Sequence, residues 1–224
     1  MNETMTMTIQ ATDSRLLDVA IEHFARYGID GASTRAIAKD ADTPMSSITY
    51  HFGGKEGLYL ATAERIAERM GELLAPAIAE AQRACQPPRC TRARAREALL
   101  TIFGHIVNVL VGADTAAMAR FIVREQADPT EAFSRVYDRM MAPMLGRFAL
   151  LLRVVAGEEI DESEARVRAI ALFGQVLVFR VARETALRGA GWKSIGPGEL
   201  EVIQRIVADH LGAVLDHLAK GRRS

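Results

Sequence analysis

The sequence predicts an all-α fold, and three features of the chain indicate it. Apolar residues recur at the three- and four-residue spacing of amphipathic helices from Thr12 almost to the end of the chain. No segment shows the strict alternation of apolar and polar residues that half-buried strands have. Clusters of Gly, Pro and Asp separate the helical segments. We expect two helical domains, one covering residues 11–70 and one covering 71–221.

The composition is that of an ordinary globular protein, with 49% apolar residues, 25% charged residues and a formal net charge of zero. No apolar run reaches the roughly 20 residues that a membrane-spanning helix needs. The first residues, MNETMTMTIQ, lack the basic and apolar regions of a signal peptide, so we expect a disordered arm and a cytoplasmic protein. Cys85 and Cys90 provide neither a disulfide framework nor a zinc set. They are either a thiol sensor, activated by nearby arginines, or two surface thiols without a role.

The first predicted helix covers Thr12–Tyr27, where apolar residues lie at helical spacing and Gly28 follows. Its apolar face should pack on Ile37, Ile48 and Phe52 to form a three-helix core. A core of that size is too small to be firmly stable alone. The helix that follows, from Lys55 or Glu56 onward, must therefore brace it.

The stretch Thr34–Phe52 predicts two short helices joined by a tight turn. Ser33 or Thr34 can supply the N-cap of the first helix. Asp42-Thr43-Pro44 ends that helix, because the residue before a proline is driven out of the helical region. The second helix should run from Met45 to Phe52 and stop at Gly53-Gly54. This is a helix-turn-helix, whose second helix can enter the major groove of DNA.

The residues from Thr12 to about Arg69 resemble the DNA-binding domain of the TetR family of bacterial repressors. The resemblance rests on the segment FARYG, the IA-x-x-A pattern, the Tyr-His-Phe ending of the second helix and the Lys55-Glu56 pair. A second resemblance, to the C-terminal domain of the CerR/CecR-type branch of this family, rests on Phe121–Thr130 and on the run from Phe173 to Gly191-Trp192. It implies a domain that binds small molecules and has no enzyme activity.

The TetR resemblance implies specific roles for residues around the second helix. Bases would be read by Ser46, Ser47 and Thr49, and phosphates would be held by Thr34, Thr43, Tyr50, His51 and Lys55. Two positions depart from the family pattern, since Asp42 replaces the usual turn glycine and Met45 stands where a cation is common. Met45 instead offers an apolar surface able to touch a thymine methyl. Acidic residues outnumber basic ones over residues 1–54, so we expect weak non-specific DNA binding.

The remaining helices follow from Gly, Pro and Asp breaks in the apolar pattern. Pro76 should kink the helix that begins at Lys55, or end its regular part. A loop at Cys85–Cys90 comes next, and Gly191-Trp192 lies in a Gly-rich turn near the end of the chain. The later predicted helices cover Thr91–Val111, Thr115–Ala127, Thr130 to about Val155, Ala169–Ala182 and Leu200–Leu218.

Polar side chains on apolar helix faces are the candidates for a ligand pocket. Buried polar groups need partners, so they either satisfy one another as core residues or read a bound molecule. Apolar walls with a few polar anchors are the usual character of a small-molecule site. The candidate pocket residues are His105, Phe121, Arg124, Glu125, Gln175 and Phe179.

The segment AIALFGQVLVFRVA, from Ala169 to Ala182, is apolar on nearly every side, which indicates burial on more than one face. One face can pack on its own domain and another on a second copy of the chain. With the last predicted helix, it would form a four-helix bundle across a two-fold axis. The predicted homodimer residues are Val178, Val181, His210, Leu211 and Val214.

These features predict a ligand-responsive DNA-binding transcriptional regulator, and the TetR resemblance implies a repressor released from an inverted-repeat operator by a small molecule. Its expected partners are double-stranded DNA, the small-molecule inducer and a second copy of the chain, with no membrane, metal or cofactor. The alternatives are a small-molecule-processing enzyme and a helical binding module without DNA binding. His105, Glu125 and Glu184 could form an acid–base set, but no nucleophile or metal motif accompanies them. We therefore assign no catalytic residue and predict no enzyme.

Overall fold

The computed structural model describes residues 2–85, 90–157 and 160–220, and within these ranges the chain is helical with no strand. The all-α prediction is therefore confirmed. The helices in chain order are α1 (Asn2–Gly31), α2 (Thr34–Asp40), α3 (Met45–Phe52), α4 (Lys55–Ala84), α5 (Arg92–Val111), α6 (Ala116–Ala127), α7 (Glu131–Val136), a π-helix (Tyr137–Met141), α8 (Ala142–Ala156), α9 (Glu162–Val181), α10 (Arg183–Ala190) and α11 (Pro197–Lys220).

The chain divides into two compact units, and each unit is built from two separate segments of the chain. The N-terminal unit contains the residues up to Arg69 together with Ala116–Met140, and the C-terminal unit contains Met70–Thr115 together with the residues from Met141 onward. The sequence suggested a boundary near residue 70 but placed α6 in the second domain. In the structure α6 packs along α1 in the N-terminal unit, because its apolar face, including Phe121, is buried there.

The core of the N-terminal unit is the predicted three-helix core, braced by α4. Leu16, Phe24, Ile37, Ile48 and Leu58 are all buried in it. Phe52, in contrast, is only half-buried. The helix-turn-helix packs on α1, and α4 is tied to α1 through Arg65 and Arg69, which both contact Asp18.

The first helix is longer than the sequence predicts at both ends. The expected disordered arm is wrong for the described backbone, since α1 begins at Asn2. The segment MNETMTMTIQ contains no Gly or Pro that would interrupt a helix. Gly28 does leave the helical region, with φ 70° and ψ −178°, but the chain resumes helical geometry and continues to Gly31.

The C-terminal unit is built around α5, α8, α9 and α11. Phe103 of α5 and Phe148 of α8 lie with their ring centroids 5.1 Å apart in its core. Pro76 does not end α4, which continues to Ala84. The Cys85 and Cys90 side chains are joined in a disulfide, so the expectation of two free thiols is wrong.

Two features of the chain after Thr130 escaped the sequence prediction. The single helix expected from Thr130 to about Val155 is interrupted by the π-helix Tyr137–Met141. Pro143 lies two residues after it and has no N–H to donate to the carbonyl of Arg139, so one regular α-helical hydrogen bond is missing at this point. The short helix α10 was also missed, and Gly191 ends it in the left-handed conformation at φ 70°.

Candidate nucleic-acid interface and interaction surfaces

The turn between α2 and α3 is fixed by its own hydrogen bonds. The Ser33 hydroxyl accepts from the Ala36 N–H at 3.4 Å, which confirms Ser33 as the N-cap of α2. Asp42 adopts φ 54° in the turn, a left-handed conformation that Asp tolerates better than most residues. The Thr43 N–H then donates to the Ala38 carbonyl at 2.9 Å. Asp42 therefore performs the conformational task of the glycine that the family usually places here.

Helix α3 presents an exposed polar face on a buried anchor. Ile48 is buried and ties the helix to the core, while Gly53 ends it in the left-handed conformation at φ 73°. Tyr50 is 86% exposed and Met45 is 55% exposed. Ser46 and Thr49 are exposed beside them. Side chains of this kind can donate to, accept from and touch base edges in a major groove.

Ser47 lies differently from the sequence prediction, which placed it on the exposed base-reading face. It is half-buried, and its N–H donates to the Pro44 carbonyl at 2.9 Å in the first turn of α3. The residue immediately precedes the buried Ile48, so part of its surface is covered by the core. The exposed residues of α3 are Met45, Ser46, Thr49, Tyr50 and His51.

Two predicted phosphate contacts, His51 and Lys55, instead have partners on α1. His51 Nδ1 lies 3.5 Å from an Asp13 carboxylate oxygen, and Lys55 Nζ donates to the Asp30 carbonyl at 3.1 Å. Neither partner could be predicted from helical spacing, because both contacts join residues far apart in the chain. These contacts fix the end of α3 and the start of α4 against α1.

Helix α2 carries two exposed basic side chains to which no DNA contact was assigned from the sequence. Arg35 and Lys39 are exposed on this helix, beside the predicted recognition helix. The predicted contacts Thr34 and Thr43 are half-buried, and the Thr43 hydroxyl donates to the Ala41 carbonyl at 3.2 Å. Arg35 and Lys39 are therefore better placed than either threonine to meet a phosphate.

Glu125, predicted to point inward, is only 3% exposed, and its carboxylate is fully engaged within the N-terminal unit. It accepts from the Tyr59 hydroxyl at 2.5 Å, from the Thr130 N–H at 3.2 Å and hydroxyl at 2.8 Å, and from the Phe133 N–H at 3.1 Å. Burial, the hydrogen bond to Glu125 and its negative charge raise the pKa of Tyr59 well above the ordinary value. Glu125 thus joins α4 to the start of α7.

The six candidate pocket residues are divided between the two units. Phe121, Arg124 and Glu125 belong to the N-terminal unit, where Phe121 packs on the Tyr59 ring at 4.8 Å and Arg124 packs against Gly28. The other three belong to the C-terminal unit and are half-buried: His105, Gln175 and Phe179. The side-chain nitrogen of Gln175 is buried without a hydrogen-bond partner among the described residues. Glu125 is therefore a core residue whose hydrogen-bonding partners lie within the chain, whereas the side-chain N–H groups of Gln175 have no acceptor among the described residues.

The outer face of α9 is an exposed apolar stripe, as the sequence indicated. Val178 and Val181 are 47% and 58% exposed, and Val167 and Ile170 continue the stripe at helical spacing. The assignment of Leu211 to this interface is wrong, because Leu211 is 0% exposed in the core of its own unit.

The neighbouring helix α11 nevertheless offers an exposed surface. His210 and Ile206 are exposed on it, and Val214 is half-buried. Residues 210 and 211 differ by about 100° around a helix, so only one of them can face outward.

Within the described residues, no single helix is long and apolar enough to cross a membrane; only the bent pair Arg92–Val111 and Ala116–Ala127 passes such a test, by combined length and composition. No group of His, Cys, Asp and Glu side chains in that part of the chain could hold a metal ion.

An exposed α3 on a buried anchor, inside an all-helical chain, defines a helix-turn-helix DNA-binding protein. Residues 16–62 match the family model of bacterial regulatory proteins, tetR family, and residues 95–218 match the C-terminal domain of the HTH-type transcriptional dual regulator CecR. The chain belongs to the TetR family of transcriptional regulators, with a CecR-type C-terminal domain. Both resemblances seen in the sequence are thereby confirmed.

Three known proteins are similar to this chain, two in sequence and one in fold. The chain is 33% identical to the HTH-type transcriptional dual regulator CecR of Shigella flexneri over 219 residues, which cover 98% of both chains. It is 38% identical to the transcriptional repressor AcnR of Corynebacterium glutamicum over 65 residues, 28% of this chain and 35% of that protein. The structure of FadR from Bacillus subtilis in complex with stearoyl-CoA has a TM-score of 0.62 at 19% identity, covering 88% of this chain and 96% of that one.

Proposed function

We propose that two copies of this chain bind an inverted-repeat DNA operator through α3, repress transcription there, and leave the DNA when a small molecule binds the C-terminal unit. The observation that supports DNA reading most directly is the exposed face of α3, since large and polar side chains are left uncovered on a firmly anchored helix. Repression is supported by the naming of AcnR as a repressor, while the CecR relative is named a dual regulator.

We assign base reading to Ser46 and Thr49, and contact with a thymine methyl to Met45. Tyr50 donates its hydroxyl to a phosphate, and Arg35 and Lys39 of α2 supply the charge that the acidic N-terminal half otherwise lacks. Because His51 and Lys55 already have partners on α1, their main task is to hold α3 in position. Ser47, Thr34 and Thr43 support the same helix from half-buried positions.

Dimerisation follows from the apolar stripe on α9. Exposed valines and isoleucines at helical spacing are costly to leave in water, and a second copy packed across a two-fold axis would cover them. A two-fold dimer with one recognition helix per chain requires half-sites about one helical turn apart.

The ligand response is supported by helix α4 and by a relative of similar fold. One uninterrupted helix contributes Lys55–Arg69 to the N-terminal unit and Met70–Ala84 to the C-terminal unit. A molecule that favours one arrangement of α4 therefore acts on both units. Shifting a population from 99:1 bound to 1:99 requires about 5.5 kcal/mol, which two ligands per dimer can share. The structurally similar FadR holds stearoyl-CoA, which shows that this fold accommodates a small molecule in that protein.

The experiment is to mix the purified protein with fragmented genomic DNA, recover the retained fragments and sequence them. We expect enrichment of one inverted repeat, and loss of that enrichment in a matched double variant, Thr49→Ala with Tyr50→Ala, whose free energy of unfolding should be unchanged because both side chains are exposed. Fragments retained without any shared sequence would contradict the proposal. No retention at all would favour a helical binding module or an enzyme acting on a small molecule.

A further inference from the structure

A cleft of about 500 Å³ lies in the C-terminal unit between the end of α4 and helix α8. This size falls in the range of small-molecule sites. Its wall is mainly apolar, with Leu150, Leu151 and Val154 of α8 on one side and Ala81 of α4 on the other. The Cys85–Cys90 disulfide forms part of the same wall. Leu150 is exposed although it is a large apolar side chain.

The polar groups of the cleft are a guanidinium and an amide. Arg147 is half-buried, and its two terminal nitrogens lie 2.5 and 2.7 Å from the side-chain oxygen of Gln82 when that amide is oriented to accept. The amide carries no charge, and no carboxylate lines the cleft in the part of the chain that the structure describes. The positive charge of Arg147 is therefore met by a neutral partner beside an apolar surface.

We infer that this cleft binds an amphipathic anion, a small molecule with an apolar body and one carboxylate or sulfonate group. The body would cover Leu150 and its neighbours, and the acid group would accept hydrogen bonds from the guanidinium N–H groups of Arg147 that Gln82 does not occupy, a charge-assisted contact that guanidinium groups favour. Gln82 would then orient the guanidinium. This inference rests on the proposed ligand response for its regulatory meaning, because binding at the end of α4 is what would reach the N-terminal unit, but binding itself can be tested without DNA.

The probe pair is anilinonaphthalene sulfonate and its neutral counterpart phenylnaphthylamine, which has the same aromatic body without the sulfonate. Fluorescence titration of the full chain should show about tenfold tighter binding of the sulfonate. In Arg147→Gln that preference should disappear, while affinity for the neutral probe stays as it was. The control is Arg153→Gln, an exposed arginine on the same helix that does not line the cleft.

A second variant tests the cleft by filling it. A Cβ added at Gly146 meets no atom within 4 Å, so the backbone accepts a side chain there, and Gly146→Phe should place its ring in the space next to Leu150. Both probes should lose binding at least tenfold, and Gly189→Phe, equally open but on α10, should bind as the wild type does.

Failure of this inference can be separated from failure of the proposed function. Equal binding of the sulfonate by wild type, Arg147→Gln and Gly146→Phe would overturn the cleft as the site, as would a wild type that binds neither probe. If the probes bind as expected but do not release a selected operator, the cleft stands and the proposed ligand response through it is wrong.

Discussion

At the scale of single residues, the contacts of Glu125 decide its role. Four donors from three residues converge on this buried carboxylate, so it is a structural acceptor that joins α4, α6 and the start of α7. Its inward direction could be predicted from helical spacing with Phe121. Its partners could not, because Tyr59 lies 66 positions away in the chain and periodicity carries no information about such pairs.

Glu125→Ala should lower the free energy of unfolding by about 3 kcal/mol, because it leaves buried N–H and O–H donors without an acceptor. Urea unfolding followed by circular dichroism measures this. Glu184→Ala, which removes an exposed carboxylate on α10, should stay within about 0.5 kcal/mol of the wild type. A Glu125→Ala protein as stable as the wild type, but requiring more inducer to leave DNA, would instead make Glu125 a ligand residue.

Tyr59 should make stability depend on pH in the alkaline range. Burial and the Glu125 carboxylate raise the pKa of Tyr59, whereas in the unfolded chain it titrates near the ordinary value of 10.0. Below pH 10, Tyr59 is protonated in both states and its full contribution to the free energy of unfolding is present. Above it the unfolded chain releases the proton first, so stability falls by up to about 1.4 kcal/mol per pH unit.

The measurement is urea unfolding between pH 8 and pH 11 for wild type and Tyr59→Phe, with the exposed Tyr50→Phe as the matched control. Above pH 10, the free energy of unfolding should fall less steeply with pH in Tyr59→Phe than in the wild type, by up to about 1.4 kcal/mol per pH unit. The slope should be unchanged in Tyr50→Phe. Identical slopes for all three proteins would show that the Tyr59 hydroxyl does not titrate differently on folding.

At the scale of elements, the helices that could be predicted are those flanked by capping residues, prolines or glycines. The bounds of α3 were predicted correctly because Pro44 and Gly53-Gly54 flank it, and α5 because Thr91 caps it and Gly112 follows. The π-helix was missed because Pro143 shows only that one helical hydrogen bond is lost, and not that the helix widens into π geometry and then continues. Helix α10 was missed because its few apolar residues gave no periodic signal.

The exposed face of α3 predicts two different mutational effects on DNA binding. Tyr50→Phe removes a phosphate donor and should weaken binding to every site alike, roughly fivefold. Thr49→Ala removes a group at the base edges and should change the order of preference among half-site sequences. Anisotropy titrations against a panel of half-site variants measure both. If Thr49→Ala weakened every site by the same factor, the base-reading face would be assigned wrongly.

The disulfide between Cys85 and Cys90 should contribute up to about 2 kcal/mol to stability, a small amount because it closes a short loop. Dithiothreitol reduces it to two thiols and is itself oxidised, so the wild type should lose this stability in the reductant. Cys85→Ser with Cys90→Ser should match the reduced wild type and not respond to reductant. A wild type whose thiols become titratable without any change in urea midpoint would contradict a stabilising role.

At the scale of the whole molecule, surfaces were predicted better than the identity of the residues on them. The apolar outer face of α9 was predicted from the sequence. Leu211 of α11, in contrast, was assigned to the interface although it belongs to the core. Periodicity shows that a helix has an apolar face, but it does not show whether that face points to the core or to the surface. The grouping of the six candidate pocket residues stays a prediction, but their division between two units could not be seen in the sequence. Three of the six lie on α6, and nothing in the sequence shows that α6 joins the N-terminal unit.

The central claim is that a dimer formed through α9 reads an inverted repeat with two copies of α3. The most direct test is an anisotropy titration of the selected inverted repeat, and of one half-site alone, with wild type, Val178→Ala and Val178→Asp. A buried aspartate at a two-fold interface would be opposed by its own copy, whereas alanine keeps the surface apolar. We expect wild type and Val178→Ala to bind the repeat at two chains per duplex and at least tenfold tighter than the half-site, and we expect Val178→Asp to lose this difference in affinity. Val178→Asp binding the inverted repeat as tightly as the wild type would contradict the central claim.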